Sequence, residues 1–171
     1  MSYAQHVNEA QSIRARCAII TLSDTRTPDT DTSGQTIRRL LETDGHDVAA
    51  YHLIKDEPAQ LAPLFDTLLN RADIDAILTN GGTGISARDQ TIDSIQQILD
   101  CPLPGFGELF RALSVQQIGS GAMLSRAIGG IARGKVVFAM PGSTKAVDLA
   151  MTRLILPELR HLLRELKKHL A

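Results

Sequence analysis

Three short apolar runs, "CAIITL" at 17–22, "DVAAYHLI" at 47–54 and "DAILTN" at 75–80, are separated by stretches of helical length. That alternation constrains the fold more than any other feature. Antiparallel strands can be joined by a tight turn, but strands joined through a helix run parallel. The first connector, "SGQTIRRLLETDGH", sets Ile37, Leu40 and Leu41 at helical spacing, with Ser33 as its predicted N-cap and Gly45 as its stop. The second, "KDEPAQLAPLFDTLLNRAD", has Pro58 near its first helical position and then repeats Leu61, Leu64, Phe65, Leu68 and Leu69. The order β-α-β-α-β predicts an α/β fold, with a mostly parallel sheet covered by helices on both faces.

Further along, "TIDSIQQIL" and "GFGELFRALSVQQIG" read as helices, and residues 135–140 as a strand after an Arg-Gly turn. "PGSTKAVDLAMTRLIL" opens another helix, which Pro157 breaks or restarts. The last segment places Leu159, Leu162, Leu163, Leu166 and Leu170 on one face, and His161, Lys167, Lys168 and His169 read as a solvated one. Phe106, Leu109 and Phe110 lie close together on one element, either as core or as an exposed interface. Residues 1–14 are polar and aperiodic and are expected to form a flexible arm, leaving 15–171 as a single domain.

Composition removes several function classes. The net charge of −1 supplies no basic field for nucleic acid or an anionic membrane. Aromatic residues make up 4% with no Trp, too few for base-stacking platforms. No stretch reaches the roughly 18 apolar residues of a spanning helix, so a cytoplasmic protein is expected. Cys17 and Cys101 make neither a disulfide framework nor a metal cluster, and Cys17 is predicted to be a small buried hydrophobe.

In an open α/β sheet, ligands bind beyond the carboxyl ends of the strands. Three loops are predicted at that edge: "SDTRTPDTDTSG", "NGGTG" and "MPGSTKA". All are rich in Gly, Ser and Thr, and each offers backbone N–H groups ahead of a helix, the donors a phosphate needs. "NGGTGIS" is neither a P-loop nor G-x-G-x-x-G, which excludes the common nucleotide folds. Asp29, Asp31, Asp56 and Asp89 sit in loops at the same rim. A loop Asp is ordinarily a cap or turn residue, yet carboxylates beside phosphates can hold Mg²⁺. Among the nearby cations Arg88, Arg111, Arg126 and Lys145, the pair Arg126 and Lys145 are the expected phosphate partners, unless surface carboxylates take them. No Ser-His-Asp elbow, CxxC or HExxH is present, which argues against hydrolase, redox and zinc chemistry.

The stretches "DTSGQTI", "LTNGGTGISARDQT", "PGFGELFR", "SGAMLSRAIGGI" and "VVFAMPGSTKA" together resemble the MoaB/MogA family of molybdenum cofactor biosynthesis, and more closely its MoaB branch. The likeness runs from about residue 15 to 157. It implies a three-layer α/β/α molybdopterin-binding fold, a molybdopterin ligand and a trimeric or hexameric homo-oligomer. It further implies adenylyl transfer from Mg-ATP to molybdopterin, with release of pyrophosphate. The family's two essential acids fall on Asp56 and Asp89, cast as metal ligands. Its pterin-phosphate loops fall on Ser23, Gly81, Gly82, Thr83, Gly84, Ser125, Pro141, Gly142 and Ser143. The alternative within the same pathway is a non-catalytic carrier or scaffold that binds molybdopterin.

Overall fold

A computed structural model describes residues 10–86 and 89–168. Six strands form one sheet in the order β2-β1-β3-β6-β5-β4. They are β1 (Arg16–Leu22), β2 (Asp47–Ile54), β3 (Ala76–Asn80), β4 (Cys101–Pro102), β5 (Ile128–Ala132) and β6 (Lys135–Met140). The β1–β2, β1–β3 and β3–β6 pairs are parallel, while β5 runs antiparallel to both β6 and β4. The expected mostly parallel sheet is present, with its antiparallel pairs confined to one end. There the Arg133-Gly134 turn joins β5 directly to β6, too short a link for a crossover.

Alternate residues of the strands feed two cores, as the two-residue period of a strand requires. Cys17, Ile19, Leu78, Val136, Phe138 and Met140 face one layer of helices: α1 (Thr32–Thr43), α4 (Pro104–Ile118), α5 (Thr144–Ala150) and α6 (Leu156–Lys167). Ala18, Ile20, Ile77, Val137 and Ala139 face the other layer, α2 (Pro58–Asn70) and α3 (Thr91–Ile98). The three layers are therefore α/β/α. Cys17 is fully buried, as predicted, and burial pushes its thiol up to about 12.

Three local expectations are settled by packing. Pro157 does not end its helix: a π turn over Met151–Ile155 joins α5 to α6, with the Leu156 N–H donating to the Met151 carbonyl. The wider turn lets a proline start α6 without a break. Phe106 and Phe110 are core, with Phe106 4.7 Å from the Phe138 ring, whereas Leu109 is exposed. The N-cap of α1 is Asp31 rather than Ser33; its side chain accepts from the Gly34 N–H at 3.0 Å. Residues 10–14 of the expected arm lie on the body, with Ala10 buried and Arg14 paired to Asp47. Residues 1–9, Arg88, His169 and Leu170 fall outside the described residues.

Candidate functional site

The chain leaves β1 in one direction to reach β2 and returns across it to reach β3. Crossovers on opposite faces open a crevice at that switch point. β1, β3 and β6 are neighbours in the sheet, so the loops that follow them meet at one edge, as the sequence predicts. Their contacts are close. A methyl on Gly142 would lie 3.0 Å from Gly81 Cα. The Gly142 carbonyl accepts from Arg26 Nη2 at 2.8 Å and from Ser33 Oγ at 2.7 Å. Thr32 and Thr144 join hydroxyls at 3.0 Å.

Buried polar groups support this edge from beneath. Thr21, Asp31, Ser33, Thr79 and Asn80 have no exposure, and Asn80 Nδ2 donates to Thr21 Oγ1 at 2.8 Å. Burial pushes the Asp31 carboxyl up. Hydrogen bonds from Thr21, Tyr51 and the Gly34 N–H, with the Arg26 charge, outweigh it and leave the group below its ordinary value. Tyr51, half-buried and donating to Asp31, is pushed up to about 12. Asp31 is thus an ionised hub beneath the loops.

The glycine loop answers a steric demand. Gly82 has φ +62, and a methyl there would lie 2.5 Å from Asp56 Oδ1 and would also strike Thr91 Oγ1. A methyl on Gly84 would lie 2.6 Å from Asp89 Oδ2. The bare backbone therefore lets two carboxylates rest against positions two residues apart. Asp56, from the loop after β2, accepts from Thr91 Oγ1 at 3.2 Å. Asp89 accepts from the Ser86 N–H at 2.9 Å and from its hydroxyl. The Ser86 hydroxyl is the main reason that Asp89 lies below the usual carboxylate range, so it stays ionised at neutral pH.

The remaining predicted residues divide into two groups. Ser125, Pro141, Ser143 and Lys145 line one groove of about 920 Å³, which also takes in Thr36 and Arg39 of α1. Among the described residues, Arg39 and Lys145 make no hydrogen bond or ion pair, so both cations are available to an anion. Arg126 is committed instead: it donates to the carbonyls of Gly84 and Asp89 at 3.3 Å each and pairs with Asp93 at 2.5 Å. It braces the glycine loop. The Ser23 hydroxyl accepts from the N–H groups of Thr25 and Arg26 and so closes its own turn. Thr83 is buried under the loop. Asp56 and Asp89 do not line the groove; the Gly81–Gly142 contact connects the two halves. Sequence reasoning passed over Arg26, Arg39 and Thr91. Only the "DTSG" cap signal at Asp31 could have pointed toward that buried hub.

Residues 18–161 match the family described as "Probable molybdopterin binding domain". The molybdenum cofactor biosynthesis protein B of Halalkalibacterium halodurans is 56% identical over 169 residues, 98% of this chain and 99% of that one. The chain belongs to the MoaB/MogA family. A second MoaB relative, from Bacillus subtilis, is 48% identical with the same coverage. A crystal structure of a molybdenum cofactor biosynthesis protein B superposes with a TM-score of 0.89 at 51% identity, covering 91% of this chain and 98% of that one. The tungsten cofactor synthesizing MoaB of Pyrococcus furiosus superposes with a TM-score of 0.80 at 35% identity and the same coverage. Among the described residues, no helix is long and apolar enough to cross a membrane.

Proposed function

We propose that this chain works in molybdenum cofactor biosynthesis, binding molybdopterin and adenylylating it with ATP to give adenylyl-molybdopterin and pyrophosphate. The observation that carries this reading is the pair of carboxylates, Asp56 and Asp89, resting against Gly82 and Gly84 of one loop. Family membership supports the pterin ligand, and relatives named for molybdenum cofactor biosynthesis support the pathway.

In the reaction, an oxygen of the molybdopterin phosphate forms a bond to the α-phosphorus of ATP. The bond from that phosphorus to the α–β bridging oxygen breaks, and pyrophosphate departs with its electrons. The attacking phosphate is ionised near neutral pH, so the chain need supply no general base. Its contribution is position and charge. Lys145 and Arg39 attract and hold anionic groups in the groove, and the meeting of Gly81 with Gly142 brings the two substrates to one edge.

The acids suit a hard cation. Among the described residues no three His, Cys, Asp or Glu side chains converge, and magnesium commonly takes one or two carboxylates plus substrate phosphates and water. Asp56 and Asp89 would hold it, and it would supply neutralisation of the charge that builds on the phosphates. An exposed apolar group at the end of α4 and just beyond it, Val115, Ile118, Met123 and Leu124, supports a homo-oligomer.

The test mixes the protein with molybdopterin and Mg-ATP and measures pyrophosphate. Release is expected. Asp56→Asn and Asp89→Asn should each lower the rate by about a hundredfold or more, the scale for removing one electrostatic contact. Molybdopterin affinity should stay near the wild-type value. Pterin binding without pyrophosphate release would replace this reading with a carrier.

A further inference from the structure

Gly142 and Ser143 share one peptide plane at the centre of the site, and the chain fixes that plane from one side. The Gly142 carbonyl receives two donors, Arg26 Nη2 at 2.8 Å and Ser33 Oγ at 2.7 Å. The same guanidinium holds Asp31 through Nη1 at 3.1 Å. Asp31 is itself immobile: its side chain has no exposure, and it caps α1 through the Gly34 N–H and accepts from Tyr51. Arg26 therefore runs from a fixed buried carboxylate to a loop carbonyl contributed by β6, 116 residues away.

The peptide is trans, since the described chain has no cis bond. In a planar trans peptide, C=O and the following N–H point to opposite sides. Holding the Gly142 carbonyl toward Arg26 and Ser33 therefore aims the Ser143 N–H the other way. Ser143 is exposed there and lines the groove beside Lys145. Among the described residues that N–H has no partner, although the Ser143 hydroxyl is occupied, accepting from the Ala146 N–H.

We propose that Arg26 is a positioning residue, which with Ser33 locks the Gly142–Ser143 peptide so that the Ser143 amide donates to a phosphate oxygen of the ligand. Arg26 touches no ligand in this scheme and acts through the backbone. The inference rests on the phosphate-binding reading above, and its test separates the two. Arg26 pairs with a fully buried carboxylate, so its removal is also expected to lower Tm, and each variant is titrated well below its own Tm.

The amide of Ser143 is followed by ¹H–¹⁵N NMR during titration with inorganic phosphate. In the wild-type chain it should shift. Arg26→Ala should weaken phosphate and molybdopterin binding roughly tenfold or more, the scale of a lost charge-assisted hydrogen bond. Arg26→Lys should recover part of the affinity, since one ammonium can replace the charge but not the fork. Ser33→Ala should weaken binding too, and the double variant should lose less than the two singles combined, because both donors serve one carbonyl. Two results overturn the proposal: a Ser143 amide that does not respond to phosphate, or one that responds equally in Arg26→Ala. If phosphate moves the amide but molybdopterin does not bind, the aimed amide stands and the molybdopterin reading fails. Should Arg26→Ala prove unstable, the Ser33→Ala titration alone decides: an unchanged phosphate response there refutes the lock.

Discussion

Three alanine substitutions separate what the glycines of this chain are for. Gly134, in the turn between β5 and β6, has φ +73 with open space around the position of a Cβ. Gly84 lies outside the left-handed region, but its methyl would press on Asp89. Gly82 combines both burdens, with φ +62 and a methyl directed at Asp56 and Thr91. Placing an L-residue in the left-handed region costs about 1–2 kcal/mol, which is the whole effect expected for Gly134→Ala. The contact adds a displaced carboxylate, at roughly 0.5–1.5 kcal/mol for an off-rotamer side chain. It also breaks the Thr91–Asp56 hydrogen bond, at roughly 0.5–1.5 kcal/mol. Gly82→Ala should therefore cost about twice as much as Gly134→Ala. In a chain of this size each kcal/mol lowers Tm by roughly 2–4 °C, so calorimetry or thermal melts followed by circular dichroism resolve the difference. The functional readout should separate the variants further. Gly82→Ala and Gly84→Ala should both lose pyrophosphate release, whereas Gly134→Ala should keep it. Equal stability losses at 82 and 134, with activity kept at 82, would refute the claim that the bare backbone exists to seat the acids.

Two further outcomes follow from other parts of the fold. His46 is buried and accepts the Ala15 N–H on Nδ1 at 3.1 Å, and burial, then the Arg160 charge, lowers its pKa. Its neutral form is the folded one, so its contribution is complete above the ordinary value of about 6.5 and is lost as pH falls through the lowered folded value. Tm measured from pH 7 down to 5 should fall, and His46→Asn should flatten that limb; an unchanged slope would remove His46 as the cause. Second, Ile118→Asp or Met123→Asp on the exposed apolar group should lower the mass seen by analytical ultracentrifugation, with little effect on the monomer fold. A wild-type chain that sediments as a monomer would refute the proposed homo-oligomer, and an unaltered assembly would refute this surface as its interface.

Much of the candidate site was legible because local rules wrote it. Gly-rich loops after predicted strands marked the ligand edge, and "KDEP" and "ARDQT" marked the acids through the family likeness. Roles within the site were less legible, because they depend on partners far away in the chain. Arg126 was expected to meet a phosphate unless a surface carboxylate took it, and Asp93, 33 residues before it in the chain, pairs with it at 2.5 Å. Ser33 was expected to cap a helix, but Asp31 precedes it by two residues and frees its hydroxyl for Gly142. Pro157 was expected to break or restart a helix, and it restarts one, in the first turn of α6, after a π turn that the sequence did not signal.

The sequence by itself determined the α/β class, the parallel part of the sheet and the gathering of three glycine-bearing loops. Those features follow from the period of apolar residues and the length of connectors, which are properties of neighbours along the chain. The tertiary structure alone decided why the glycines are there. Asp56 reaches Gly82 from another loop, and Arg26 reaches Gly142 from another strand end. Such contacts are fixed by strand order, and strand order is set by how two helical layers bury the faces of one sheet. The loop "NGGTG" reads as a phosphate cradle in one dimension; in three, it is also the bare surface against which two carboxylates rest.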